Sequence, residues 1–322
     1  MAILEFEEFG VEFGSGENWV PAITQLNMRL DEGEGLCLIG ESGSGKTVTA
    51  MSVARLLDER RTRYSGELRV EGENVLGLGS KALAAMRGRA VGYVFQSPST
   101  SLNPLMTVEA QIQECLVVRE GQRGSREKVK ALLEQVGIPD PSRRAKAYAH
   151  QLSGGMQQRV MIAMAIALRP KLLIADEPTT ALDVTIERQV LDLLCDLRQR
   201  YGMAILMVTH NLGVVKGRFD RLAVMYAGQI VESGDTEKVL ARPSHPYTAA
   251  LLQCVPSLNG DKGKVQSIPG RMARMGEWGR GCRFSERCSF VRSECRRNDL
   301  VLEGATHGGS SRCPVFKDGG LR

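Results

Sequence analysis

The sequence predicts an α/β fold with a mostly parallel sheet and a ligand site along the carboxyl edge of that sheet. Two observations carry this prediction. Apolar runs with the character of strands alternate along the chain with segments of helical periodicity. Three of these runs lead directly to polar or glycine residues of a kind that contacts ligands, namely Gly40, Asp176 and His210. In open sheets of this class, ligands bind at the carboxyl ends of the strands.

Length and composition are those of an ordinary globular chain. Its 322 residues suit one large domain with an appendage, or two domains. The charged fraction of 25% and the net charge of +5 give little support for nucleic-acid binding. The longest apolar run, 160–168, is far shorter than the roughly 20 residues that cross a membrane. Residues 1–11 lack a basic segment followed by an apolar one, so we expect a cytosolic protein without a secretory signal.

The apolar run 36–39, which predicts a buried strand, is followed by a glycine-rich segment that fits a phosphate-binding pattern at every fixed position. It consists of Gly40, Glu41, Ser42, Gly43, Ser44, Gly45, Lys46 and Thr47. Such a turn into a helix directs backbone N–H groups and the positive end of the helix dipole at a phosphate. Lys46 would reach the β- and γ-phosphates, and the Thr47 hydroxyl would ligate Mg²⁺. The alternative is a chance match in a turn rich in glycine and serine.

The segment before the glycine-rich loop predicts an antiparallel β subdomain. Residues 1–35 alternate apolar and polar side chains, which is the pattern of half-buried strands. Phe13 or Trp19 could stack on a nucleotide base there, and each could equally be an ordinary core or surface residue.

Beyond the loop, the pattern predicts a helix over 49–57 and a strand over 90–95. Gln96 follows that strand, where an amide is well placed to touch a ligand, although an ordinary strand end needs no such role. Residues 107–150 have helical periodicity and many charges, which predicts a helical insertion.

Two glycines mark the start of the next helix, predicted over 157–168. Ser153, Gly154 and Gly155 would expose backbone N–H groups to an anion at that end. Ser153 is also a candidate N-cap residue, and an N-cap at this position is compatible with anion binding at the start of the helix.

Acidic residues follow the strand predicted over 171–175. Of the adjacent pair, Asp176 could hold Mg²⁺ while Glu177 polarises a water molecule for attack on phosphate. A solvated acidic turn is the alternative, and the preceding apolar residues argue against it. His210 ends a further predicted strand, and shorter strands continue to about residue 241.

The eight cysteines form two groups. Four are scattered through apolar or helical segments and are expected to be small buried hydrophobic residues: Cys37, Cys115, Cys195 and Cys254. Four cluster near the end of the sequence: Cys282, Cys288, Cys295 and Cys313. In a cytosolic protein, such a cluster indicates metal or cluster binding more than disulfides.

Together these segments resemble the ATP-binding subunit of ATP-binding cassette (ABC) transporters. The matching motifs are Walker A at 40–47, the Q-loop at Gln96, the signature motif at 152–156, Walker B at 172–177, the D-loop at 181–183 and the switch histidine at His210. The resemblance implies a P-loop NTPase fold with an ABC ATPase domain over 1–241, including a helical insertion over about 97–165.

The resemblance also implies a role for each matching residue. Two such subunits would enclose ATP head to tail, so that Ser153, Gly154 and Gly155 of one complete the site of the other. The remaining expected roles are Mg²⁺ binding by Thr47, Gln96 and Asp176, orientation of the attacking water by Glu177, contact with the γ-phosphate by His210, and coupling of the two sites by Asp183.

The last part of the chain narrows the family. His245–Thr248 and Ile268–Gly270 resemble the C-terminal extension of oligopeptide and dipeptide importers, a subgroup that includes nickel and metallophore importers. This extension would cover 242–322, and in it the four clustered cysteines resemble an iron–sulfur site. Their chemistry leaves open a [4Fe-4S] cluster, Zn²⁺, or thiols that are free or disulfide-paired. Residues 271–280 lack the prolines of the subgroup.

The expected function is that of an ATP-hydrolysing subunit that energises a membrane importer of peptides. Alternatives are an importer of nickel or a metallophore, a non-transport ABC ATPase, an exporter subunit, and a redox-sensing cluster protein. The implied partners are a sister ATPase subunit in a heterodimer, two membrane permease subunits and, indirectly, a solute-binding protein, with no nucleic acid. The implied location is the cytoplasmic face of the plasma membrane.

Overall fold

The computed structural model describes residues 1–180, 182–254, 267–297, 300–305 and 308–316. The strands are β1 (Ala2–Ser15), β2 (Asn18–Asp31), β3 (Gly35–Ile39), β4 (Thr62–Val70), β5 (Glu73–Asn74), β6 (Val91–Val94), β7 (Leu172–Asp176), β8 (Ala204–Thr209), β9 (Arg221–Tyr226), β10 (Gln229–Asp235), β11 (Glu303–Gly304) and β12 (Ser310–Ser311). The α-helices are α1 (Lys46–Val53), α2 (Ser80–Arg89), α3 (Pro98–Ser101), α4 (Val108–Glu120), α5 (Arg126–Gln135), α6 (Pro141–Arg144), α7 (Gly154–Ala167), α8 (Val184–Tyr201), α9 (Thr236–Ala241) and α10 (Pro246–Gln253). Among these described residues, no helix is both long and apolar enough to cross a membrane.

The chain folds into two compact units, each assembled from several segments. Unit 1 contains 1–4, 30–34 and 70–207, and unit 2 contains 5–29, 35–69 and 208–322. The division predicted at residue 241 stays a prediction. Ala181, the first residue of the predicted D-loop, lies outside the described residues.

Unit 1 is organised by a parallel pair of strands and by helices around α7. β6 and β7 pair in parallel, with Val91 opposite Leu172 and Val94 opposite Ala175. Every residue of β7 is buried, which explains why the strand is apolar until Asp176. α7 contacts α3, α4 and α5, three helices of the predicted insertion.

Unit 2 contains two groups of paired strands. In one group, β2, β1 and β4 lie side by side, and the connection of only two residues between β1 and β2 requires an antiparallel pair. In the other, β3 pairs in parallel with β9, and β10 pairs in antiparallel fashion with both β9 and β12. Parallel strands and an antiparallel subdomain confirm the predicted α/β class.

Two helices differ from their predicted bounds. α1 ends at Val53 rather than at residue 57, and Arg55 just beyond it has a φ of 46°, which no right-handed helix accommodates. α7 begins at Gly154, three residues earlier than predicted. Its N-cap is Ser153, whose hydroxyl accepts a hydrogen bond from the Met156 N–H at 3.4 Å.

A buried carboxylate attaches the C-terminal extension to β10. Glu232 is fully buried and accepts hydrogen bonds from the N–H groups of Ser244 at 2.6 Å and His245 at 3.0 Å. His245 caps α10, because its Nδ1 accepts from the Tyr247 N–H at 3.1 Å. Burial lowers the pKa of His245 to about 3, so Nδ1 keeps the lone pair that the cap requires.

Substitution of Glu232 tests this attachment. Glu232→Leu leaves two buried N–H groups without their acceptor, so we expect the free energy of unfolding to fall by about 3 kcal/mol. Glu232→Gln keeps one acceptor oxygen and should lose about half as much. Urea denaturation of the full chain measures both, and a Leu variant as stable as the wild type would contradict the assignment.

Candidate active site

The glycine-rich loop of unit 2 is shaped by close contact with the end of β9. A Cβ atom on Gly40 would lie 2.2 Å from the Met225 carbonyl oxygen. Gly45 has a φ of 110°, and a Cβ there would lie 2.9 Å from the Met225 Cε. The positive φ favours glycine at Gly45, and the backbone oxygen of Met225 leaves no room for a side chain at Gly40.

Lys46 lies at the centre of this loop. It begins α1 and is 4% exposed, and its Nζ donates to the carbonyl oxygens of Gly40 at 2.8 Å and Glu41 at 3.0 Å. The ammonium group, the loop N–H groups and the N-terminus of α1 all contribute positive charge at one place. This combination favours a polyphosphate.

In unit 1, Asp176 ends β7 and is 3% exposed. The Tyr93 hydroxyl, on neighbouring β6, donates to the Asp176 Oδ2 at 3.0 Å. Burial raises the pKa of Tyr93 and the Asp176 carboxylate raises it further, so the phenol remains a donor. The hydrogen bond fixes the orientation of a buried carboxylate, and carboxylate oxygens are ligands of the kind that Mg²⁺ takes.

Glu177 follows in a strained conformation with a φ of 45°. Its Oε2 accepts hydrogen bonds from the Gln96 Nε2 at 3.1 Å and from the Thr180 Oγ1 at 3.0 Å. The structure therefore brings Gln96 into hydrogen-bond contact with Glu177, the second residue of the acidic pair. A non-glycine residue held at positive φ costs about 1–3 kcal/mol, and such strain concentrates at functional sites.

The segment Ser153–Gly155 also lies in unit 1. Ser153 and Gly154 are exposed, whereas a Cβ on Gly155 would approach the Ile186 Cγ2 of α8 to 2.9 Å. Asp183 is the N-cap of α8, because its carboxylate accepts from the Ile186 N–H at 2.9 Å. The exposed start of α7 can thus present N–H groups to an anion.

The remaining predicted contacts of the nucleotide belong to unit 2. His210 is exposed and follows β8 directly. The Trp19 indole donates to the Gly16 carbonyl at 2.8 Å and carries the Arg63 guanidinium 3.8 Å from its ring centroid. One face of Trp19 is therefore already covered, while Phe13 is half-buried. Base stacking by Phe13 or Trp19 stays a prediction.

The structure brings the four clustered cysteines around one small cavity of about 10 Å³ in unit 2. The cavity is lined by Cys282, Cys288, Cys295, Cys313, His245 and Phe284, together with Ser285 and four further apolar residues. Burial raises the pKa of the Cys282 thiol to about 12. All eight cysteines are described, and none forms a disulfide. Within the described part of the chain, no three His, Cys, Asp or Glu side chains are grouped closely enough to hold a metal ion.

Sequence reasoning missed several residues that fix the site. Tyr93 and Thr180 orient the two carboxylates of unit 1, and Tyr247 and Arg287 bind Glu41 of the loop in unit 2. Tyr93 carries the polar side-chain group of the otherwise apolar run 90–95. Its hydroxyl is the sequence feature that could have indicated a hydrogen bond with the acidic strand. No local signal links Arg287 to Glu41, because 246 residues separate them.

Comparisons with known proteins agree with these motifs. The family model described as ABC transporter matches residues 23–180, and the model for the oligopeptide/dipeptide transporter C-terminal region matches 231–295. The chain is 42% identical over 315 residues to the dipeptide transport ATP-binding protein DppD of Escherichia coli (strain K12), which covers 97% of this chain and 96% of that protein. It is 43% identical over 304 residues to DppD of Haemophilus influenzae, covering 94% and 92%.

A solved structure has the same fold. The dimeric, post-hydrolysis state of the ATP-binding cassette MJ0796 bound to ADP and Pi matches with a TM-score of 0.65 and 27% identity, over 72% of this chain and 98% of that one. The matches thus include the loop, the acidic strand and the extension. The chain belongs to the ABC transporter family, as an ATP-hydrolysing subunit with the C-terminal region of oligopeptide and dipeptide transporters.

Proposed function

We propose that this ATPase drives a membrane importer of peptides. The observation that carries the proposal is the similarity to dipeptide transport proteins along nearly the whole chain, extension included. The same similarity favours peptides over nickel or a metallophore. The proposed partners are a sister ATPase subunit, two membrane permease subunits and, through them, a solute-binding protein. Binding to the permeases would place the chain at the cytoplasmic face of the membrane.

The loop of unit 2 supports a phosphate-binding role. We assign the N–H groups of 40–47 and the Lys46 ammonium to the β- and γ-phosphates, and the hydroxyl of Thr47, an exposed residue, to Mg²⁺. His210 would contact the γ-phosphate. These groups neutralise charge on the phosphoryl oxygens, which is the main task of a protein in phosphoryl transfer.

The acidic pair of unit 1 supports the complementary tasks. Asp176, held by Tyr93, would bind Mg²⁺ with Gln96 in the metal shell. Glu177 would orient the attacking water, and its hydrogen bonds with Gln96 and Thr180 already define the position of its carboxylate. Ser153–Gly155 would bind the phosphates held by the sister subunit, with Asp183 coupling the two sites.

For the extension we propose a [4Fe-4S] cluster on the four clustered cysteines. They line one cavity with an apolar and aromatic wall, and the Phe290 N–H donates to the Cys288 sulfur at 3.4 Å. A four-iron cluster takes one thiolate at each of its irons, and the extension supplies four. The cavity of about 10 Å³ has room for no more than a water molecule, so the turns of the extension would have to move apart to admit the cluster. Bound there, the cluster would cross-link the turns of the extension.

Glu177→Gln in reconstituted transporter tests the proposed function. The amide keeps an acceptor for Thr180 but cannot act as a base, so ATP binding should stay near wild type while turnover falls about 100-fold or more. Uptake of di- and tripeptides into proteoliposomes that contain the partner subunits should disappear with it. Normal turnover in this variant would refute the role of Glu177, and uptake of nickel instead of peptides would refute the substrate class.

Tyr93→Phe tests the orientation of Asp176. Loss of a group that orients a metal ligand typically weakens metal affinity about 10-fold, so the Mg²⁺ concentration for half-maximal hydrolysis should rise by about that factor. The matched control is Tyr201→Phe, which removes a phenol that donates to Gln135 elsewhere in unit 1. An unchanged Mg²⁺ requirement in Tyr93→Phe would contradict the proposal.

Cys288→Ser tests the cluster. Anaerobically purified wild-type chain should be brown and contain about four irons and four sulfides. The variant should lose the colour, the iron and the sulfide while it still binds nucleotide. Cys254→Ser, a half-buried cysteine outside the cavity, serves as the control. One zinc per wild-type chain, or no metal at all, would reject the cluster.

A further inference from the structure

We propose that Arg287 of the C-terminal extension is a positioning residue for nucleotide binding, which acts by neutralising Glu41 and holding the phosphate loop in place. The proposal rests on the assignment of 40–47 to phosphate binding. It adds a residue from outside the recognised motifs to the nucleotide site.

The contact between the two side chains is bidentate and partly buried. The Arg287 Nη1 lies 2.6 Å from the Glu41 Oε2, and the Arg287 Nη2 lies 3.0 Å from the Glu41 Oε1. The Arg287 side chain is 5% exposed and that of Glu41 is 28% exposed. A fork of this geometry in a sheltered position is stronger than an exposed ion pair.

Every N–H donor of the Arg287 guanidinium group has a hydrogen-bond acceptor at this position. Its Nε donates to the Pro269 carbonyl at 2.9 Å, and its Nη2 donates also to the Ile268 carbonyl at 3.3 Å. The second Nη1 donor reaches the Tyr226 hydroxyl at 3.4 Å. With the two bonds to Glu41, all five N–H donors of the side chain are used. The extension thus forms a rigid receptor for one carboxylate.

Glu41 is held through its main chain as well. Its N–H donates to the hydroxyl of the fully buried Tyr247 at 2.8 Å, and its carbonyl accepts from the Lys46 Nζ. The extension therefore binds Glu41 at its N–H, through Tyr247, and at its carboxylate, through Arg287. Lys46 binds the carbonyl of the same residue. A displacement of Glu41 would be passed directly to Lys46.

Charge gives a second reason for the pairing. Glu41 is the second residue of a loop that binds a polyphosphate, and an unpaired carboxylate there would repel the phosphate oxygens. Arg287 cancels that charge where solvent cannot screen it well. If the Arg287–Glu41 ion pair served only to attach the extension, the acidic residue would not have to lie inside the phosphate loop.

The test compares Arg287→Met, Arg287→Lys and the double variant Arg287→Met with Glu41→Gln, all as full-length chains. Fluorescence titration with an ATP analogue gives the dissociation constant, and steady-state kinetics separate KM from kcat. We expect Arg287→Met to weaken binding about 10-fold, a change that corresponds to about 1.4 kcal/mol, with the larger effect on KM. Arg287→Lys should fall between it and the wild type. The double variant should recover most of the lost affinity, because it removes the uncompensated carboxylate.

Arg292→Met, at an exposed position of the same extension, is the matched control and should bind like the wild type. The proposal is overturned if Arg287→Met binds ATP normally, or if the double variant binds as weakly as the single one, which would indicate a purely structural anchor. Should Arg287→Met fail to fold, the Lys variant alone decides, since wild-type affinity there would exclude a requirement for the bidentate pair. Wild-type affinity in Lys46→Ala would instead refute the phosphate site itself.

Discussion

The pairing of β3 with β9 is the contact on which the nucleotide site of unit 2 depends. Ile39 lies opposite Val224 in a fully buried parallel register, so the next residue of each strand meets the other as Gly40 and Met225. That approach excludes a side chain at Gly40. Strand pairing in the core therefore determines the backbone geometry of the phosphate loop. A shift of one residue in the register of β3 and β9 would remove the close approach of Gly40 to Met225.

The same strand begins a closed circuit of contacts. β9 pairs with β10, Glu232 of β10 receives the N–H groups at the start of α10, and Tyr247 of α10 returns to Glu41. The extension is thus part of the structure around the loop in unit 2. The match to the family model for the extension likewise begins at residue 231, inside β10.

The sequence alone predicted the parts of the site that rest on local pattern. The glycine spacing of 40–47, the apolar run before Asp176 and the polar strand ends needed only short-range rules. The missed features depend on residues far apart or on strain. The positive φ of Glu177 has no sequence signal, because glutamate has no preference for that region. The contact of Arg63 with Trp19 joins β4 to β2, two strands that β1 separates in the sheet. The early end of α1 was missed for the same reason, because arginine has no preference for the positive φ that Arg55 adopts just beyond the helix.

The anchoring of Glu41 has a consequence for the order of folding. The loop is made early in synthesis, but its partners Tyr247 and Arg287 follow 206 and 246 residues later. Contacts with so large a sequence separation form late, because the chain entropy lost on closing the intervening segment must first be overcome. A nascent chain therefore carries an unfinished phosphate loop until its extension has left the ribosome, and only the completed polypeptide has the loop fully restrained.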